Sequence, residues 1–151
     1  MAADRNGESL AQRMIGTWRL VSRVDMAADN TIRTDPALGS DPLAMLTYTR
    51  DRFAAQFMKR DRSGASVNTA GGSGQNNTTA VGGYDAYFGT YHVGSDGIVL
   101  HRLEAALTPG NVGLEVARTL AVDDDRLTIV LETSTLDREP ITRTLTWSRI
   151  G

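Results

Sequence analysis

Apolar and polar residues alternate along most of this chain, and the alternation is clearest at its two ends. Near the start, Trp18, Leu20 and Val24 fall on one face and Thr17, Arg19, Arg23 and Asp25 on the other, the period of a half-buried strand. Near the finish, Ile141, Leu145 and Trp147 alternate with Thr142, Thr144, Thr146 and Ser148, an apolar face backed by hydroxyls. Two amphipathic terminal strands, each carrying one Trp, can pair with each other and leave a sheet without open edges. The pattern predicts a closed barrel.

Other elements follow in chain order. Residues 1–8 are polar and expected to be disordered. Ser9 can cap a short helical turn through Leu10, Gln12, Arg13 and Met14 that plugs one barrel end. The first strand spans 15–25 and turns at Ala28-Asp29-Asn30. Residues 31–34 make a short return strand before Asp35-Pro36 and Gly39-Ser40-Asp41-Pro42 impose an irregular connection. Residues 43–49 and 53–59 flank Arg50-Asp51-Arg52 as a hairpin. Its turn can be read two ways, one residue apart, so Tyr48, Gln56, Phe57 and Met58 are neighbours whose inward or outward direction stays open.

Residues 60–83 include Asn68 and the run Gly71-Gly72-Ser73-Gly74, which has almost nothing to bury, so a long flexible loop is expected, either a functional lid or disordered chain. Residues 81–87 can recover a short helical or turn segment, with Tyr84 and Tyr87 leaning over the mouth. Residues 88–94 and 98–107 pair around Ser95-Asp96-Gly97. If Asp96 and Gly97 are the centre of a two-residue turn, His92 stands directly opposite His101. Residues 112–121 and 126–133 meet across Asp123-Asp124-Asp125, which places Arg118 in an apolar, inward row with Leu114, Val116 and Leu120. The sum is one all-β domain over 1–151, a closed antiparallel up-and-down barrel of eight to ten strands.

Composition agrees and removes several functions. Hydrophobic residues make up 40% of the 151 residues and charged residues 23%, which suits a folded globular domain. A formal net charge of −2 gives no electrostatic reason to expect nucleic acid or an anionic membrane as partner. There is no cysteine, which excludes disulfides, thiol nucleophiles and Cys-ligated metals. The chain carries neither a run of about 18 apolar residues nor a basic-then-apolar start, so a soluble cytoplasmic protein is expected. A homodimer through an outer sheet face remains open.

The order of short motifs adds a family. Gly16-Thr17-Trp18-Arg19-Leu20 resembles the G-x-W opening of calycins, and more closely that of the bacterial and fungal lipocalin-like domain family. Leu46-Thr47-Tyr48-Thr49, Gly89-Thr90-Tyr91, His101-Arg102-Leu103-Glu104, Pro109 with Val112-Gly113, Arg118, Asp125-Arg126-Leu127 and Leu145-Thr146-Trp147-Ser148-Arg149 follow in an order similar to that family's. The resemblance covers about residues 14–149. It implies a barrel around a central cavity. The chain departs from the pattern in its Gly/Ser/Asn-rich loop, where related chains often carry proline and apolar residues.

A barrel of eight strands has room for side chains or for one small ligand, in a pocket that is mostly apolar with a few orienting polar groups. The candidate lining groups are Tyr48, Gln56, Phe57, Met58, His92, His101, Arg118 and Arg143. Each polar candidate has a structural alternative: the histidines can face solvent together, Arg118 can pair with Glu104 or Glu115, and Tyr48 can fill the core. Arg149 is expected to stack on Trp18 at the closed end. Two histidines without cysteine fall short of a zinc site, and no metal or other cofactor is expected. Two functions survive. One is binding of a small hydrophobic or amphipathic molecule in the cavity. The other is a cofactor-free isomerase, cyclase or dehydratase of a secondary metabolite, in which His101, His92 and Arg118 carry acid–base catalysis with Tyr48 as a further donor.

Overall fold

The computed structural model describes residues 9–63, 70–71 and 80–151, so the expectations for residues 1–8 and for most of loop 60–83 lie outside the described residues. Ser9 caps α1 (Leu10–Arg13) through a reciprocal capping box with Gln12. The strands that follow are β1 (Gly16–Ala27), β2 (Ile32–Arg33), β3 (Leu43–Tyr48), β4 (Arg52–Met58), β5 (Ala70–Gly71), β6 (Ala80–Val81), β7 (Tyr84–Val93), β8 (Ile98–Ala106), β9 (Glu115–Asp123), β10 (Arg126–Ser134) and β11 (Pro140–Arg149). Eight of them close a barrel. Going round, β4, β3, β1, β11, β10, β9, β8 and β7 are antiparallel neighbours, and β7 returns to β4. The expected pairing of the first and last strands is the seam: Trp18 lies opposite Arg149 and Leu20 opposite Trp147.

Alternation explains each inward row except where an extra residue interrupts it. In β1 the register shifts between Leu20 and Ser22, so Val21 is inserted and the faces exchange. Trp18 remains buried as expected. Arg23 and Asp25, expected outside with Thr17 and Arg19, instead point inward, at 8% and 4% exposure. A second correction concerns the β7–β8 hairpin. Its loop holds Ser95, Asp96 and Gly97, with Asp96 at φ 57° and Gly97 at φ 78°, so Val93 pairs with Val99 and Tyr91 with His101. The odd loop length puts His92 opposite Leu100 on the outer face, and the expected His92–His101 pair does not form. The segment expected as a helix or turn at 81–87 instead starts β7 at Tyr84. The turn that separates it from β6 is made by Gly82 and Gly83 at φ 60° and 77°.

Gly89 is required where β8 bulges against β7: a Cβ there would stand 1.8 Å from the Arg102 carbonyl oxygen. With Gly89 in place, Asp85 and Tyr87 continue the inward row of β7, and Asp85 is 4% exposed.

One end of the barrel is sealed. The Trp18 indole N–H donates to the Met14 carbonyl at 3.0 Å, and both residues are fully buried. The Arg149 guanidinium lies 4.3 Å over the Trp18 ring, as expected, and donates to the carbonyls of Arg13 and Ile15 at 2.7 Å. These contacts tie α1 to the seam. Trp18→Ala should cost about 3–5 kcal/mol in denaturant unfolding, the range for deleting a buried aromatic side chain; an unchanged midpoint would show that Trp18 does not seal the barrel.

Candidate functional site

The inward rows enclose a cavity. Leu46, Phe53, Ala55, Phe57, Val116, Ile129, Leu131 and Leu145 give it apolar walls, and Leu38 from the connection between β2 and β3 completes them. About 60 Å³ of the interior is open to the centre of a water-sized sphere. Polar side chains enter this lining from six strands: Arg23 on β1, Tyr48 on β3, Asp85 and Tyr87 on β7, His101 on β8, Arg118 on β9 and Arg143 on β11.

Arg143 donates to both oxygens of Asp25 at 2.7 and 3.0 Å, and Arg23 donates to Asp35 at 2.8 Å. Arg143 and Asp25 are direct register partners across the seam, and a bidentate contact between planar groups is the geometry that best offsets the loss of water around both charges. Asp35 belongs to the irregular connection at 34–42. Its ion pair with Arg23 holds this stretch against the barrel, with Leu38 at 5% exposure on the cavity wall.

Elsewhere in the lining, the Tyr48 hydroxyl and His101 Nε2 are 2.6 Å apart. Burial and the nearby Arg118 charge lower the His101 pKa to about 3, and burial raises that of Tyr48 well above 10. Near neutral pH the pair therefore shares one proton along its hydrogen bond. Either the phenol donates to Nε2, with the single imidazole proton on Nδ1, or Nε2–H donates to the phenol oxygen. Arg118 Nη1 donates to the Ala117 carbonyl at 3.0 Å. Burial and the Asp85 charge push Tyr87 up to about 12.

Asp85 differs from the other acids of the interior. Burial raises its carboxyl from 3.8 to about 7, against the lowering effects of the Ala86 backbone N–H and the Arg23 charge. Among the described residues, its Oδ1 has no hydrogen-bond partner, and the same is true of His101 Nδ1 and Trp147 Nε1. All three residues line the one cavity.

The cavity thus brings together five of the expected residues, Tyr48, Phe57, His101, Arg118 and Arg143. Gln56 and Met58 point outward from β4 into an external depression, where Gln56 accepts from the Tyr84 hydroxyl at 2.9 Å, and His92 is exposed. Sequence reasoning missed Arg23, Phe53, Asp85, Tyr87 and Trp147 as lining residues. Alternation through Asp85, Tyr87, Gly89 and Tyr91 was the signal for two of them, had β7 been extended to Tyr84.

With a closed antiparallel barrel and an interior cavity in place, comparison with known families decides the lineage. A family model for a lipocalin-like domain matches residues 15–150. The chain belongs to the lipocalin-like domain family. No curated protein matches it. The match spans the whole barrel from β1 to β11, so every lining strand of this lipocalin-like domain falls within it.

The Asp85 carboxyl has a consequence for stability. In the folded domain it keeps its proton up to about pH 7, whereas the unfolded chain releases it near 3.8. Between these values the folded state holds more protons, so this group's contribution to stability falls as pH rises through the window and is level above it. The buried neutral His101 acts with the opposite sign between about pH 3 and 6.5, so the Asp85 effect is read against a variant. Asp85→Asn should gain stability relative to the parent as pH rises from 4 to 7.5, by a few kcal/mol, on the order of 4 at most. Parallel stability curves across that range would mean that Asp85 ionises freely in the folded domain.

Proposed function

We propose that this lipocalin-like domain binds a small, mostly apolar molecule inside its barrel. The observation that carries the reading is the set of three buried polar atoms, Asp85 Oδ1, His101 Nδ1 and Trp147 Nε1, left without partners among the described residues, in residues that line one cavity with apolar walls. Native interiors pair their buried polar groups, and each one left unpaired costs about 1–3 kcal/mol. A ligand that supplies the matching donors and acceptors recovers that cost while its apolar body covers Phe53, Phe57 and their neighbours. No helix of the described residues is long and apolar enough to cross a membrane.

A second reading, a cofactor-free isomerase, cyclase or dehydratase, draws its support from Asp85 rather than from the histidines. A carboxyl near 7 suits proton transfer at neutral pH, whereas an imidazole at about 3 is a weak base. Binding is favoured because a base alone does not make a catalytic constellation.

Ala55 tests the binding reading. It is 3% exposed, lines the cavity and carries a side chain small enough to be enlarged. Native mass spectrometry should detect 2-methylnaphthalene, added as an apolar probe, held by the parent domain, and Ala55→Phe should lose it at least tenfold while costing about 1–3 kcal/mol in stability. A parent that takes up no probe would overturn the binding reading, and a variant that binds it equally well would place binding outside the barrel.

A further inference from the structure

Two of the residues with an unpartnered atom are neighbours of one aromatic side chain. Asp85 is the cross-strand partner of Phe57, and the Trp147 ring meets Phe57 edge to face with centroids 5.8 Å apart. Asp85 and Trp147 therefore flank the same side chain, Asp85 from β7 and Trp147 from β11. Their chemistry is complementary. An indole N–H can only donate, so Trp147 Nε1 calls for an acceptor; an ionised Asp85 Oδ1 can only accept, so it calls for a donor. A hydroxyl is the smallest group that offers both.

Charge narrows the choice further. Arg118 lines the same cavity, so an ammonium group would meet it as a like charge. A carboxylate would meet Asp85 as a like charge, and the Arg23 and Arg143 guanidinium groups already bond to Asp35 and Asp25. A neutral hydroxyl meets neither obstacle, and it adapts to Asp85 in either protonation state, donating to the carboxylate or accepting from the acid. Tyr87 lies nearly parallel to Phe57, at 22° and 6.3 Å, so the surroundings favour a flat, ring-bearing body.

We propose that Asp85 and Trp147 form a hydroxyl-recognising subsite beside Phe57, and that the domain selects neutral ring-bearing alcohols or phenols. The proposal rests on the cavity-binding reading and names its ligand class. It assigns Asp85 and Trp147 as binding residues, with Asp85 accepting the ligand's hydroxyl proton in a hydrogen bond and Trp147 donating to its oxygen.

A matched pair of probes separates the subsite from the cavity. 2-Naphthol and 2-methylnaphthalene differ by a hydroxyl in place of a methyl group, and the methyl compound is the more hydrophobic. A site without polar partners must therefore prefer the methyl compound, because burying an unpaired hydroxyl is unfavourable. Calorimetric titration at neutral pH should give 2-naphthol an advantage of about tenfold or more in the parent domain, the scale expected when a site built for a hydroxyl rejects its apolar analogue. Asp85→Leu should reverse the preference, and Trp147→Phe should reduce it several-fold. Both variants should keep 2-methylnaphthalene binding within about threefold, which reports an intact cavity; if Asp85→Leu does not fold, Asp85→Asn is the substitute and should narrow the preference. Equal binding of the two compounds by the parent, or a preference that survives both substitutions, overturns the subsite and leaves the cavity reading standing. Failure of the parent to bind either compound overturns both.

Discussion

The buried ion pair between Asp25 and Arg143 holds the interior in its present form. The two residues face each other across the seam where the chain's first and last strands meet, and each is at most 6% exposed. Placing two charges there is favourable only when the geometry is near ideal, as the two short bonds from one guanidinium to one carboxylate provide. That arrangement exists because Val21 is inserted into β1. Without the extra residue Asp25 would face outward, opposite an inward Arg143 left without it. The same shift brings Arg23 inside, Arg23 binds Asp35, and Asp35 fixes the 34–42 connection that sets Leu38 on the cavity wall. One inserted residue thus determines the ion pair across the seam and the entry of Arg23 into the lining.

Much of the barrel was legible in the sequence because its signals are local. The two Trp-bearing terminal strands, the hairpins and the inward row with Arg118 each follow from period-two alternation, and their closure follows from having an apolar face at each end of the chain. Two of the failures share one cause. Alternation carries no information about a single inserted or deleted residue, and each such residue inverts every face beyond it. The bulge at Val21 hid Arg23 and Asp25, and a three-residue loop in place of a two-residue one separated His92 from His101. Asp85 was hidden differently: Gly82 and Gly83 imply a turn without saying where the following strand starts, so Tyr84 to Tyr87 read as part of the connection.

The interior combines two kinds of polar group with different consequences. Asp25, Asp35, Arg23 and Arg143 satisfy one another and act as structure. The Tyr48–His101 pair is satisfied on one side, at 2.6 Å, and leaves Nδ1 without a partner among the described residues. Asp85 and Trp147, both neighbours of Phe57, each leave one atom without a partner among the described residues. A barrel that binds by burial alone has no use for such atoms, whereas one that discriminates among apolar molecules does, because a mismatched partner leaves a buried group unpaired.

The indole N–H resonances of the two tryptophans test most directly where a ligand sits. The Trp18 N–H is already bonded to the Met14 carbonyl at the sealed end, while the Trp147 N–H lies in the cavity lining without a partner among the described residues. On addition of 2-naphthol, the Trp147 indole proton should move downfield as it gains an acceptor, and the Trp18 signal should stay in place. Saturable binding with the Trp147 signal unmoved, or with the change confined to Trp18, would contradict a ligand site inside the barrel.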